Sequence, residues 1–140
     1  MQLWRQSAAA RPQGYEKSEH LLFSRASRWM RVGGVLLLAY IVYHLLHMTL
    51  GWAHPDFVPG DVYHNLVSAF QNPVVTAVYV GAMLLLAAHL YHGIWSLMQT
   101  LGLSHPRHDR FRRPIALILT LFIVGGFLTV PVAIAAGFIS

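Results

Sequence analysis

Two histidine pairs with the same i, i+3 spacing, His44/His47 in YIVYHLLHMTLG and His89/His92 in LLLAAHLYHGIWS, stand inside long apolar runs. An imidazole in a bilayer core is costly to bury without a partner, so such side chains mark functional sites; metals, haem iron among them, are common partners of neutral imidazole. Residues three apart fall about 60° short of a full turn, on one face of a helix. One member of each pair can therefore ligate iron while the other bonds a propionate, a quinone or a neighbouring helix. Alternatively, both hold one small ion. A Zn²⁺ or Cu²⁺ site would use nitrogen ligands in this way, but the apolar runs hold no carboxylate or thiolate to complete it. The chain contains no cysteine, which excludes disulfides, thiolate ligation, iron–sulfur clusters and covalent haem attachment. Any iron here must be held by histidine or methionine.

The elements that position these histidines are membrane spans. Of 140 residues, 56% are hydrophobic and only 11% charged, with a mean hydropathy of +0.50, far from the charge content of a soluble domain. Three windows, at about 32–52, 73–101 and 114–139, exceed the ~18 apolar residues that a spanning helix requires. The expected fold is an all-α membrane protein with three transmembrane helices, forming part of a larger helical bundle. Two domains follow: a basic segment over 1–31 and a transmembrane cofactor-binding domain over 32–140. The start, MQLWRQSAAA, is rich in helix formers and lacks both a capping residue and a signal-peptide core, so it reads either as the tail of a helix that begins upstream or as a frayed amphipathic N-terminal helix.

Charge asymmetry sets the expected topology. Residues 1–31 carry Arg5, Arg11, Lys17, Arg25, Arg28 and Arg31 against Glu16 and Glu19, and the 103–113 connection carries Arg107, Arg110, Arg112 and Arg113 against Asp109. The 53–72 connection holds Asp56 and Asp61 and neither Lys nor Arg. The positive-inside rule places 1–31 and 102–113 in the cytoplasm, and 53–72 with the C-terminus outside. The sequence pI near 10.1 then reflects topology and contact with the lipid surface, and nothing indicates a nucleic-acid-reading face.

Local signals fit these spans. Asn72 followed by Pro73 has the form of an N-cap with proline at the first helical position, and Gly102 stands where a helix C-terminus needs a residue free to turn. In the outer connection, HPDFVPGD is turn-rich, and Val62, Leu66, Ala69 and Phe70 recur at helical spacing. A short surface helix is expected there. Gly125, Gly126 and Pro131 in the third span permit close approach and a kink. At 1.5 Å per residue, His44 and His47 lie about 18 and 22 Å from the inner edge, and His89 only about 6 Å from it. An offset of about 12 Å cannot put both pairs on one iron at ~2 Å bonds. The chain supplies two half-sites at different depths.

The strings SRASRWMR, YHLLHMT, HPDF, DVYHNLVSAFQNP, HLYHGIWS and QTLGLSHPR, in this order and spacing over nearly the whole chain, resemble the cytochrome b anchor subunit of succinate:quinone oxidoreductase (succinate dehydrogenase or fumarate reductase, complex II), of the bacterial di-haem type with one fused anchor. The resemblance implies a five-helix bundle of the cytoplasmic membrane. It carries two b haems and passes electrons between an iron–sulfur subunit and a quinone, the two-haem type favouring menaquinone. Succinate chemistry would belong to a flavoprotein partner. This chain is similar to the last three helices, with His44 matching the ligand of the outer haem and His89 that of the inner. His20, His54 and His64 lie outside the spans. The two opposing ligands are therefore expected from additional anchor helices or from another chain.

The same resemblance makes His47 and His92 groups that support the ligands. It also lets Arg25, Arg28 and Arg31 pair with haem propionates or with an acidic iron–sulfur subunit. Trp95, Ser96 and Gln99 stand where a quinone pocket would open near the cytoplasmic end of the second span, although aromatic belts put Trp at that depth anyway. Two other readings of the histidines stay open: a His-lined metal or proton carrier, and a haem-free structural anchor.

Overall fold

The computed structural model describes residues 5–6, 22–103 and 106–140, and these fold into four helices joined by one structured loop. Helix α1 (Leu22–His44) runs on into a single π-helical turn, Leu45–Thr49. After the loop come α2 (Val62–Gln71), α3 (Pro73–Thr100) and α4 (Pro106–Ala135). Three stretches among the described residues are long and apolar enough to cross a membrane: Trp29–Thr49, Pro73–Thr100 and Arg110–Ala135. The short surface helix is present as α2.

Several boundaries follow from the capping chemistry. Asn72 takes an extended backbone and its side-chain oxygen accepts the Val74 N–H at 2.9 Å, with Pro73 at the position where an N–H would be orphaned anyway. At the other end of α3, Gly102 has φ +75, the Gly102 N–H reaches the Gln99 carbonyl, and the Leu103 N–H reaches the Met98 carbonyl, both at 3.0 Å. That is a Schellman closure, which favours glycine because a Cβ resists the left-handed backbone. Asp61 caps α2 by accepting the His64 N–H at 3.0 Å.

Two helices begin earlier than the apolar windows indicate. Helix α1 starts at Leu22, inside the basic segment, and α4 starts at Pro106, so Pro114 lies within the helix and does not open it. Arginine and alanine are good helix formers, and helix formation does not stop where hydropathy does. The apolar windows also overrun at their far ends, since the π turn ends at Thr49 and α4 at Ala135.

Helix α3 is central, packing on α1, α2 and α4. It runs antiparallel to α1, as shown by two contacts at opposite ends: Gly33 and Gly34 lie against His89, while His44 and His47 lie against Tyr79. Phe70, Tyr79 and Ile134 form the buried core at the end that carries His44 and His47, called outer after the topology expected from charge, with Tyr40, Tyr43 and Met48 packed around them. Within the most apolar window of each span only 17%, 17% and 22% of residues are buried by the rest of the chain. Leu84, Ile118, Leu121 and Phe122 are among many large apolar side chains left exposed. In a membrane such faces are covered by lipid or by other helices.

Candidate functional site: two histidine clefts on the central helix

The outer pair is held by one hydroxyl. Tyr79 of α3 places its Oη 3.3 Å from His44 Nδ1 and 3.1 Å from His47 Nδ1. The π turn carries His47 inward until it is 1% exposed, the largest of the fully buried side chains among the described residues; π turns inside helices recur at functional sites. The His47 ring is sandwiched between two others, Tyr43 at 5.2 Å and 19° and His54 at 4.8 Å and 26°. His44 behaves differently. It is half-buried, with Tyr40 and Tyr79 at its flank, and it lines a cleft of about 240 Å³ together with Phe70, Met83, Gly126 and Pro131.

The loop forms a polar floor under this cleft. The Asp56 N–H donates to His54 Nδ1 at 3.1 Å, so the imidazole proton sits on Nε2, which donates to the Asn65 carbonyl at 3.0 Å. Buried Asn65 clamps the loop with its side chain: Oδ1 accepts the Val58 N–H at 2.8 Å and Nδ2 donates to the Val58 carbonyl at 2.9 Å. His54 lies outside the spans by sequence, yet the loop folds back and buries it to 5% exposure. With both nitrogens engaged, it supports the cleft and leaves no lone pair for a metal. His64 lies exposed on α2, where its Nε2 meets the Asp56 carbonyl at 3.0 Å.

The inner pair lines a second, smaller cleft of about 110 Å³ with Trp29, Gly33, Leu85 and Ala88. A Cβ on Gly33 would stand 3.8 Å from His89 Nδ1, and one on Gly34 would stand 3.6 Å from His89 Cε1. The two glycines thus let the α1 backbone approach the imidazole. His89 Nδ1 is buried and has no hydrogen-bond partner. His92 sits against Trp95, ring centroids 5.9 Å apart. Along α3, ten residues separate Tyr79 from His89, a rise of about 15 Å. The two histidine pairs therefore occupy separate clefts.

Both clefts have apolar and aromatic walls and a glycine in the lining, with His44 facing the first and His89 and His92 the second, a composition that fits a haem. In the first cleft His44 Nδ1 meets Tyr79 Oη at 3.3 Å, which leaves Nε2 as the nitrogen open to a further bond. In the inner cleft the buried, unbonded Nδ1 of His89 calls for a partner from outside the chain. Among the described residues no three His, Asp or Glu side chains converge as a metal-binding group.

A third cleft, about 410 Å³, is lined by Trp95, Arg110, Arg112 and Arg113, with the Arg112 guanidinium 5.8 Å from the Trp95 ring centroid. Trp95 therefore faces arginines of α4, while Ser96 accepts the Thr100 hydroxyl through its carbonyl and Gln99 is exposed. Arg31 is exposed on α1, and the side chains of Arg25 and Arg28, with the whole of His20, lie outside the described residues.

Sequence reasoning missed Tyr79. A tyrosine inside an apolar span reads as aromatic filler, but the antiparallel register that sets Gly33 against His89 also sets Tyr79 against His44, and that was the available signal.

A family model described as succinate dehydrogenase/fumarate reductase transmembrane subunit matches residues 17–129. No curated protein and no solved structure matches the chain.

Proposed function

Since the chain belongs to the succinate dehydrogenase/fumarate reductase transmembrane subunit family, and is thus a multi-pass membrane anchor of that complex, we propose that it conducts electrons through two b haems. His44 would be an axial ligand in the outer cleft and His89 one in the inner cleft. The observation that carries this reading is the pair of separate clefts on α3, one lined by His44 and the other by His89 and His92, each among apolar walls and a glycine. A b haem bound at each cleft would supply a buried one-electron carrier between an iron–sulfur subunit and a membrane quinone, menaquinone on the resemblance to two-haem anchors. A second histidine on each iron, from additional anchor helices or another chain, would leave no open position and suit electron transfer over oxygen binding.

The chain's own residues do the rest. His44 offers Nε2 while Tyr79 holds its other nitrogen, and the Tyr40, Phe70 and Met83 walls keep water away, a lever on redox potential. Gly33 and Gly34 let α1 lie close over His89. The basic residues of α1 and of the α3 to α4 connection face the cytoplasm in this reading, where the iron–sulfur subunit docks.

Reduced-minus-oxidised spectra of the intact complex test the assignment. Two low-spin b-type contributions are expected, one lost on His44→Ala and the other on His89→Ala. Unaltered spectra in both variants would overturn it.

A further inference from the structure

The shared hydroxyl has a consequence for proton placement. Tyr79 Oη reaches two imidazole nitrogens, Nδ1 of His44 and Nδ1 of His47, and a phenol has a single proton to donate. If it donates to one ring, it can only accept from the other. Were both rings to donate to it, the hydroxyl proton would be left facing an apolar core, at the cost of a buried unmade hydrogen bond.

Resting on the reading of His44 as an axial ligand, we propose that Tyr79 and His47 form a relay that fixes the tautomer of His44. Ligation needs the lone pair on His44 Nε2, so its proton must sit on Nδ1 and be donated to Tyr79 Oη. The Tyr79 O–H then donates to His47 Nδ1, and His47 carries its own proton on Nε2. His47 is thus the acceptor that frees Tyr79 to accept from His44. Its burial between Tyr43 and His54 holds it in that role. The i, i+3 pair has a division of labour: one ring faces the cleft, and the other orients the proton behind it. Partners of this kind fix ring orientation and raise the basicity of a ligating imidazole.

The relay predicts an order of effects that loss of packing alone would not produce. In His47→Phe the aromatic stack is retained but the acceptor is gone, so the Tyr79 proton turns to His44 Nδ1 and favours the tautomer with Nε2 blocked. Outer-haem retention should fall by about 10- to 100-fold, the range found when such partners are removed. In Tyr79→Phe nothing forces the wrong tautomer; the outer haem is retained, with a raised midpoint potential and a shifted low-spin electron paramagnetic resonance signal as the imidazole loses basicity. The double variant should regain haem relative to His47→Phe alone, a coupling of opposite sign to additive damage.

The experiment uses the intact complex and compares haem content, potentiometric titration and resonance spectra for the wild type and these three variants, with the inner-haem signal as internal control. Rescue in the double variant with an unchanged inner signal is the expected result. Outer-haem properties unchanged in both single variants, or a double variant worse than either, would overturn the relay while leaving His44 ligation standing. A wild-type complex without an outer-haem signal would instead overturn the ligand assignment, and the relay with it.

Discussion

The two clefts differ in how far this chain completes them. At the outer end four helices and a loop converge, His44 is held by Tyr79, and a second layer of His47, His54 and Asn65 stands behind it. At the inner end one imidazole rests against two glycines, with its Nδ1 buried and unbonded. The first cleft is thus built with more contacts from this chain's described residues than the second. The difference follows from where the connections lie, because the 50–61 loop and α2 roof the outer end.

This comparison can be broken most directly by filling one cleft at a time. Gly33→Leu places atoms beyond a Cβ that already stands 3.6 Å from Leu85 and 3.8 Å from His89, so α1 must move off α3. The inner spectral contribution is expected to disappear with the outer retained, while Gly33→Ala is tolerated because its Cβ makes only ordinary contact. Gly126→Leu, in the wall of the outer cleft, should show the converse. Equal damage to both signals from either bulky variant would mean that the clefts are not independent.

A second test sharpens the role of the loop. Gly51 has φ +71, and a Cβ there would overlap the Phe57 ring. Strain and overlap together should cost Gly51→Ala about 3 kcal/mol. The loss should appear as a lower thermal midpoint for outer-haem release from the solubilised complex, with inner-haem release unmoved.

A smaller effect of the same kind is expected for Asn65→Leu. It removes both side-chain bonds to Val58, an exposed residue whose backbone groups can turn to water, at about 1 kcal/mol. Denaturant titration followed at the outer signal would measure it. A shift shared by both signals would deny the loop its local role.

Much of this architecture is legible in the residues. Apolar run length marks the three spans, and Asn72-Pro73 and Gly102 bound α3 because capping chemistry is local. The separate depths of the histidine pairs follow from rise per residue alone. What was hidden depends on register and chain reversal. Tyr79 becomes a partner only through the packing of α3 against α1, and His54 only because the loop folds back. No residue in LLHMT announces a π turn; it reflects the packing of His47 inward against Tyr79 and His54. Pro114 reads as a helix start, yet it lies eight residues inside α4, beyond the first turn, where a proline gives up the bond to the carbonyl four residues back.

The π turn at Leu45–Thr49 also makes this span unusually sensitive to indels. Its Leu50 N–H bonds to the Leu45 carbonyl at 2.9 Å, a ring one residue larger than that of an α-helix. Removing one residue between His44 and His47 would allow a regular helix to close and would set the two imidazoles two apart, no longer on one face. His44 would keep its place while the loop lost its alignment with α3. Length at this point, and not only composition, is therefore part of what specifies the outer site.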